Sequence, residues 1–505
     1  MLVATAGLTG CAGADDRPDG TIRIATAEPV GNLNPWEFLG QFHAMDMVYE
    51  PLVAYGHGGV LEPALAQRWD VAPDGLTVTF HLRDGVTFHD GTAFDAEAAR
   101  WNLEHWIGEE GYDFLRTSTV VTDITATDDL TLVLTLSEPY PPLLQELTIV
   151  RPVRFLSPAS APDGEYVAPI GTGPWVHESS TDTTGVFVRN DDYWGTAPSL
   201  ERVELRVIPD SQTRVSALRA GEVDLIGGGY LSPINAVEAA ALAGDSSVTL
   251  LTGEADTVML LTFNADSLAG ERAVREAISL ATDVESINDV LYGGTDNVAR
   301  GFFPSSVPHS GTQRDHVHDI ERAARVLDDA GWVLEGDVRV KDGRELTLDL
   351  LLVSDPVHGL MDSRTTGQAL QDALAGLGVV LVQRVVDQAA YFDEVAAGKY
   401  DLAFTTTYGA PYDPTNTVTS YLTTTSTSPV WASEELDALV EVAVSASDAD
   451  QLDAAYQAVY DYLDVQVAFV PITCPPRYYA VSTQVRGFTI PAHEYHLDLT
   501  AVVIG

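Results

Sequence analysis

Apolar and polar residues alternate along several short stretches of the N-terminal half, the pattern of half-buried strands. Thr21-Ile22-Arg23-Ile24-Ala25 is the first of these, and Asn32-Leu33-Asn34-Pro35 breaks it. Trp36, Phe38 and Phe42 follow as an aromatic cluster, and the stretch from Met47 starts in helical register until Pro51 stops it. Leu76, Val78, Phe80 and Leu82 alternate again; Arg83-Asp84-Gly85 and Asp90-Gly91 then predict two turns. Asp95 is placed to cap a helix whose Ala99, Leu103 and Trp106 share one face at i, i+4 and i+7. With the alternation of Leu130, Leu132, Leu134 and Leu136, the block from about 65 to 180 reads as an α+β subdomain.

Further strands are expected at Val186 to Val188 and Val203 to Ile208, a helix at Arg214 to Ala220, and a strongly apolar strand near Val258 to Phe263. Beyond it the periods lengthen. Helices are expected at Arg272–Ala281, Ile320–Ala330, Met361–Leu377, Ala389–Ala397 and Ala432–Ala446, alternating with strands at Leu346–Val353, Val379–Val386 and Leu402–Thr406. That alternation predicts an α/β architecture. The tail from Val470 to Ile504 returns to short strands and turns, in the style of the first half. Two lobes joined by more than one crossing are therefore expected: 21–256 as lobe I, 257–476 as lobe II, and 477–505 returning to lobe I. Thr423 to Ser428, all Thr and Ser, reads as a mobile loop.

Composition narrows the function. The 505 residues carry 27 Lys+Arg against 74 Asp+Glu, a formal charge of −47, and only two lysines, Lys341 and Lys399. Such a surface repels nucleic acid and favours solubility. Two cysteines, Cys11 and Cys474, are too few for a disulfide framework and wrongly spaced for zinc. Cys474 reads as a small core residue. Cys11 closes Leu8-Thr9-Gly10-Cys11 after a short apolar run and resembles a bacterial lipobox, whose cysteine becomes the lipidated first residue. The basic segment of a full signal is missing, so either the start is placed late or the match is accidental; the polar stretch Ala12 to Gly20, a ready tether, favours the first. No other apolar run approaches the ~20 residues of a membrane span. The expected mature protein is soluble and held at the surface by lipid alone, with residues 1–20 as signal remnant and tether.

The stretch with the strongest chemical demand is Arg151-Pro152-Val153-Arg154-Phe155, ahead of Ala168-Pro169-Ile170-Gly171-Thr172-Gly173-Pro174-Trp175. A guanidinium in such an apolar frame must find a partner, because burying it unpaired is prohibitively costly. The partner is either an internal carboxylate or a ligand's carboxylate, which the planar fork of arginine matches with two parallel hydrogen bonds.

Leu82-Arg83-Asp84-Gly85-Val86-Thr87-Phe88-His89-Asp90-Gly91 and Phe94-Asp95-Ala96-Glu97 resemble the signature of the family 5 extracellular solute-binding proteins. These are the dipeptide, oligopeptide and nickel receptors of ABC importers. Pro169 to Trp175, Asp192-Tyr193-Trp194-Gly195 and Ala273 to Ala277 are further pieces of that likeness, which covers the chain after Thr21. The stretches Leu144 to Phe155, Phe187 to Asn190, Thr257 to Leu260 and Tyr408-Gly409-Ala410-Pro411-Tyr412-Asp413-Pro414 resemble the nickel receptors most. The resemblance implies a two-lobed clamshell that closes on its ligand, with an extra α+β subdomain in lobe I. It implies a monomeric receptor working with permease and ATPase subunits, no resident cofactor, and nickel carried as a small carboxylate or histidine chelate. By the same resemblance Arg151 grips the chelator, Tyr391, Tyr408 and Tyr412 line the pocket, and Phe38 and Phe42 form its lobe I wall.

Two departures stand out. A second pocket arginine of the nickel receptors is matched here by Tyr112, and their metal-binding loop histidine falls near Ser426, where this chain has none. Either the chelator supplies every metal ligand or other histidines serve; His493 and His496 in the tail and His43 beside the aromatic cluster are the candidates, while His316 and His318 read as a solvated cap. The rival ligand is a di- or oligopeptide, whose amino terminus needs an acid such as Asp413. An enzyme is not expected: the chain has no Gly-x-Ser-x-Gly, His-Glu-x-x-His or Gly-x-x-x-x-Gly-Lys.

Overall fold

The computed structural model describes residues 18–37, 40–294, 296–354, 360, 363–426, 429–447 and 449–505. Strand Thr21–Thr26, expected to be half-buried, is buried at all six positions. It is a central strand, parallel to Arg202–Val207 on one side and to Leu225–Gly227 on the other. Its buried polar member, Arg23, is matched by Asp224, whose carboxylate accepts from the Arg23 backbone N–H at 2.8 Å and from both Nε and Nη2 at 3.2 Å. The alternation therefore reports a polar residue with a dedicated partner, not a solvent face.

The full sheet has seven strands, in the order Val248–Gly253, Arg477–Ser482, Leu225–Gly227, Thr21–Thr26, Arg202–Val207, Thr184–Arg189, Trp175–Ser180. A second sheet of five strands runs Val380–Val386, Thr347–Val353, Leu402–Thr406, Met259–Phe263, Phe469–Thr473. The chain passes between the two sheets twice, from Gly253 to Met259 and from Thr473 to Arg477. The expected hairpin block forms a four-stranded antiparallel sheet, Ala66–Val71, Thr77–Leu82, Thr131–Leu136, Val121–Asp128, with helix Ala96–Leu103 packed on it. Asp95 caps that helix, accepting from Ala98 N–H at 2.8 Å.

Helices around the second sheet fall where the 3.6-residue period places them. Arg272–Ala281 has the expected bounds, and Ile320–Asp329 begins behind its cap Asp319. The helix expected from Met361 is described from Ser363 to Gly376, residues 361 and 362 lying outside the described set. Val284–Tyr292, Thr415–Leu422 and Ala449–Gln466 were not expected as helices. Val418, Leu422, Leu436, Val440, Tyr456 and Val459 are buried in the same apolar cluster as Leu103, Trp106, Leu143 and Leu147. The helices after Thr415 thus pack against the N-terminal block, which brings the Arg151 segment and the Tyr408–Pro414 segment face to face. Among the described residues no helix is long and apolar enough to cross a membrane.

Candidate functional site

Between those segments lies a cleft of about 990 Å³ whose lining includes Phe42, Arg151, Tyr408, Tyr412, Asn416 and Tyr495. Phe42 opens helix Phe42–Val48, Arg151 follows the short helix Leu143–Glu146, and Tyr495 comes from the C-terminal tail. The guanidinium of Arg151 stacks over the Phe42 ring with its carbon 3.7 Å from the centroid, close enough for a cation–π contact. Among the described residues its one hydrogen bond is long, Nη1 to the Gly40 carbonyl at 3.5 Å, and its Nε finds no acceptor. Among the described residues no carboxylate lies within ion-pair distance of it. Burial holds the group below its ordinary pKa, opposed only by the phenols of Tyr412, Tyr495 and Tyr230.

Arg154, three residues on, has the other fate. Its side chain is almost fully buried, donates to Asp46 at 2.9 Å, and reaches the carbonyls of Thr148, Ile149 and Val153 at 3.2, 3.0 and 3.0 Å. The sequence left an internal pair and a ligand clamp as alternatives for this stretch, and the two arginines divide them: Arg154 is the internal pair, and Arg151 turns an unspent fork into the cleft.

Tyr495 packs edge-on to Tyr412 at 5.4 Å and tilted against Phe42 at 4.6 Å, and its hydroxyl donates to the Tyr408 carbonyl at 3.1 Å. Tyr408 meets Tyr412 at 6.1 Å. The amide of Gln145 donates to the carbonyls of Pro411 and Asp413 at 2.7 and 2.8 Å, fastening the tyrosine segment to the arginine segment. At the rim, Arg116 clasps Glu441 with bonds of 2.7 and 3.1 Å and also reaches Glu138. Asp437 is similarly occupied, accepting from the Thr424 N–H and hydroxyl.

Asp413 does not reach the cleft. It is fully buried, accepting from Gly409 N–H at 2.9 Å and from the Thr417 hydroxyl, and burial pushes its pKa up to about 7 against those bonds. It ties the turn together and is not open to a ligand's ammonium. Tyr391 is also misplaced by the sequence reading: it is 5% exposed, in the core over the five-stranded sheet, with its hydroxyl on the Phe404 carbonyl.

The three histidines do not form a metal set. His496 Nδ1 pairs with Asp46 at 2.5 Å; burial opposes its charge, but Asp46 outweighs burial and raises its pKa. His493 is buried, with Nδ1 accepting from the Tyr495 N–H at 3.3 Å, and burial lowers its pKa well below the usual value. His43, also buried, is brought down to about 4. None of the three lines the cleft, and among the described residues no group of three or more His, Cys, Asp or Glu is placed to hold a metal. His316 is no solvated cap: it is partly buried, with Nε2 against the Ser279 carbonyl at 2.9 Å, and Asp319 caps the helix.

Ser426 lines the cleft, as does Thr425; Thr427 and Ser428 lie outside the described residues, as do Phe38 and Cys11. Tyr112, standing for the missing second arginine, donates its hydroxyl to the Trp36 carbonyl while its neighbours Gly111 and Asp113 reach the cleft. Sequence reading missed Tyr495, Asn416 and Arg116. Tyr495 was within reach, being one of the two residues between His493 and His496, whereas nothing local marks Arg116 as facing a helix more than three hundred residues away.

A family model, the bacterial extracellular solute-binding proteins, family 5 (middle), matches residues 60–429. The nickel-binding periplasmic protein of Escherichia coli K12 is 35% identical over 404 residues, covering 77% of this chain and 76% of the relative. A solved ABC transporter substrate-binding protein from Sinorhizobium meliloti is 38% identical with a TM-score of 0.80, covering 96% of this chain and all of that one. NikA from Brucella suis, solved in complex with Fe(III)-EDTA, is 29% identical with a TM-score of 0.89 at 96% and 100% coverage. The two-lobed architecture is that of these receptors. With its fold and its sequence both matching, the chain belongs to the family 5 extracellular solute-binding proteins, the solute receptors of ABC importers.

Proposed function

We propose that this receptor captures nickel, or a related transition metal, as a small chelate whose carboxylate docks on Arg151, and delivers it to the permease and its ATPase subunits as a monomer. The observation that carries the reading is the Arg151 fork, half-buried in the cleft and stacked on Phe42, with no protein carboxylate to satisfy it. A ligand carboxylate accepts both N–H groups at once, and the aromatic wall encloses the organic part of the chelator. The described cleft lining has no histidine or cysteine, so the chelator supplies the metal's ligands and the protein reads the chelator. Similarity to a nickel-binding relative and to a structure holding Fe(III)-EDTA supports a metal chelate as the cargo.

A peptide is the rival cargo. It needs an acid for its amino terminus; Asp413 is spent inside its turn and Glu441 and Asp437 are occupied by Arg116 and Thr424, which leaves the exposed Asp113 as the lining acid such a peptide would use. Native mass spectrometry with metal analysis of protein purified without chelators, followed by calorimetric titration with nickel–histidine and with di- and oligopeptide pools, separates the two. Chelate binding at least about tenfold tighter than any peptide is expected, a margin of about 1.4 kcal/mol. Peptide binding without chelate binding overturns the reading. The same proposal places the protein on the membrane through lipid on Cys11; an intact mass of membrane-extracted protein that retains residues 1–10 unmodified ends that part of it.

A further inference from the structure

A second, smaller cavity of about 80 Å³ lies where the chain crosses between the two sheets, lined by Asp256, Thr257, Thr407, Arg477 and Glu494, with Tyr230 as one wall. Asp256 belongs to the first crossing and Arg477 to the second, so the cavity sits at the hinge itself. Its charges do not balance. Two carboxylates, Asp256 at 7% exposure and Glu494 at 4%, share one guanidinium. Arg477 approaches them at 3.7 and 3.5 Å, beyond hydrogen-bond range for a well-formed pair. Its N–H groups are directed elsewhere, Nε to the Glu254 carbonyl at 3.0 Å and Nη1 to the Pro491 carbonyl at 3.3 Å. Glu494 is left with the backbone N–H groups of Gly229 and Tyr230, and Oδ2 of Asp256, buried in the cavity wall, has no hydrogen-bond donor among the described residues.

We infer that this hinge cavity is a binding site for one small monovalent cation, sodium, potassium or ammonium, held between the Asp256 and Glu494 carboxylates. A net negative interior site with carboxylate oxygens in a largely apolar wall costs free energy until a cation or a proton fills the deficit. Hard oxygen donors suit an alkali cation. The volume takes such an ion with one or two waters at ~30 Å³ each, and the chain's formal charge of −47 enriches cations around it. Burial pushes Glu494 up to about 7 and raises Asp256, the direction expected of carboxylates short of positive charge. The Tyr230 wall packs on Tyr495 at 4.7 Å and on Phe42 at 5.9 Å, linking the hinge cavity to the ligand cleft. The inference is independent of the chelate reading, since none of its residues touches Arg151's cargo.

The test is thermal unfolding of the full chain at fixed ionic strength, with sodium, potassium or ammonium chloride replacing tetramethylammonium chloride, whose cation is too bulky for the cavity. At ten times its dissociation constant the preferred cation is expected to raise the melting temperature by about 2 °C, and D256N to abolish that rise. Should D256N fail to fold, anomalous diffraction from rubidium or thallium soaked into crystals of the unaltered protein reads the site directly, and a peak between Asp256 and Glu494 is expected. Melting temperatures identical in all four salts, or no anomalous peak, overturn the inference. So does a rise on acidification in tetramethylammonium that D256N removes while no cation stabilises, because a proton would then be the occupant.

Discussion

Replacing Arg151 and Arg154 in parallel separates a ligand clamp from a structural pair within three residues of one chain. Arg151→Lys keeps the charge and loses the planar fork. Arg151 makes no ion pair and only one 3.5 Å hydrogen bond in the empty protein, so the substitution breaks little there. Its stacking on Phe42 is worth about 0.5–2 kcal/mol, and a lysine retains part of that. The expected melting temperature stays within about 1 °C of the parent, a stability change of no more than about 1 kcal/mol. Binding is another matter. One of two parallel charge-assisted hydrogen bonds to the chelator is lost, so affinity for nickel–histidine should fall at least about tenfold, or 1.4 kcal/mol. Arg154→Ala should behave in reverse. It leaves the Asp46 carboxylate, at 7% side-chain exposure, with His496 as its remaining cation, and removes donors from three buried carbonyls. Breaking such a pair costs about 3–5 kcal/mol. Differential scanning fluorimetry and calorimetric titration of both variants, against chelates and peptides alike, decide the matter. An Arg151→Lys protein with a collapsed melting temperature and unchanged chelate affinity refutes the assignment of the clamp.

Other consequences can be measured alongside. Asp413, pushed up to about 7 by burial, favours the folded state fully below the unfolded value near 3.8 and loses that contribution as pH rises through 7; D413N should therefore flatten the fall in stability between about pH 4 and 7, and an unchanged profile in urea titrations would contradict it. Glu50, likewise pushed up to about 7 by burial, accepts from Thr172, Tyr193 and Trp194 at 2.8 Å each; E50Q replaces one acceptor oxygen by a donor and should cost about 1–3 kcal/mol at pH 8 without altering ligand affinity. With a formal charge of −47, association of an anionic chelate should quicken as salt rises from 0.01 to 0.15 M, the Debye length shrinking from about 30 to 8 Å, while a neutral chelate is indifferent; stopped-flow rates that fall with salt for the anion would be inconsistent with this. Chelates of one organic ligand with nickel, cobalt and zinc of the same geometry should bind within about tenfold of one another, and a hundredfold preference for one metal in calorimetry would mean that the protein ligates it.

What the sequence made legible is what repeats at short range. The Leu76 to Leu82 and Leu130 to Leu136 alternations became adjacent antiparallel strands, and Asp95 caps the helix it was expected to cap, whereas the caps Asp319 and Ser433 of two other expected helices went unread. Helix Ala449–Gln466 escaped because its buried face is carried partly by Tyr456 and Tyr460, which read as polar in a stretch studded with aspartates. The site divides in the same way. Arg151 announced itself as a charge in an apolar frame, and Tyr408 and Tyr412 by their Gly and Pro surroundings. Asp413 and Tyr391 misled because residue type does not say whether a polar group is already spent: one is consumed by Gly409 and Thr417, the other by the Phe404 carbonyl. Tyr495 and Arg116 depend on where the tail and the helix Glu434–Ser445 return, a tertiary fact that no local period encodes.

The division of labour in the cleft bears on how such a receptor selects metal. Its polar reach toward a ligand includes one unspent guanidinium, phenols and the hydroxyls of Thr419, Ser420 and Thr423, which recognise organic oxygen atoms, with the carboxylate of Asp113 at the exposed edge. The rim acids Glu441 and Asp437 are already engaged, and neither the buried His43 and His493 nor the partly exposed His496 lines the cleft, Asp46 lying between Arg154 and His496. Burial by itself would raise the Asp46 pKa, yet those two cations hold its carboxyl well below the ordinary range, so it remains their counter-ion and not a ligand in waiting. On the proposed chelate reading, a cleft lining without histidine or cysteine imposes little coordination geometry of its own, and affinities of free N/O chelators follow the intrinsic order of the metals. Selection would then take place in two steps. The chelator would choose the metal in solution, and the Arg151 fork with its aromatic enclosure would choose the chelator by the position of a carboxylate and the shape around it.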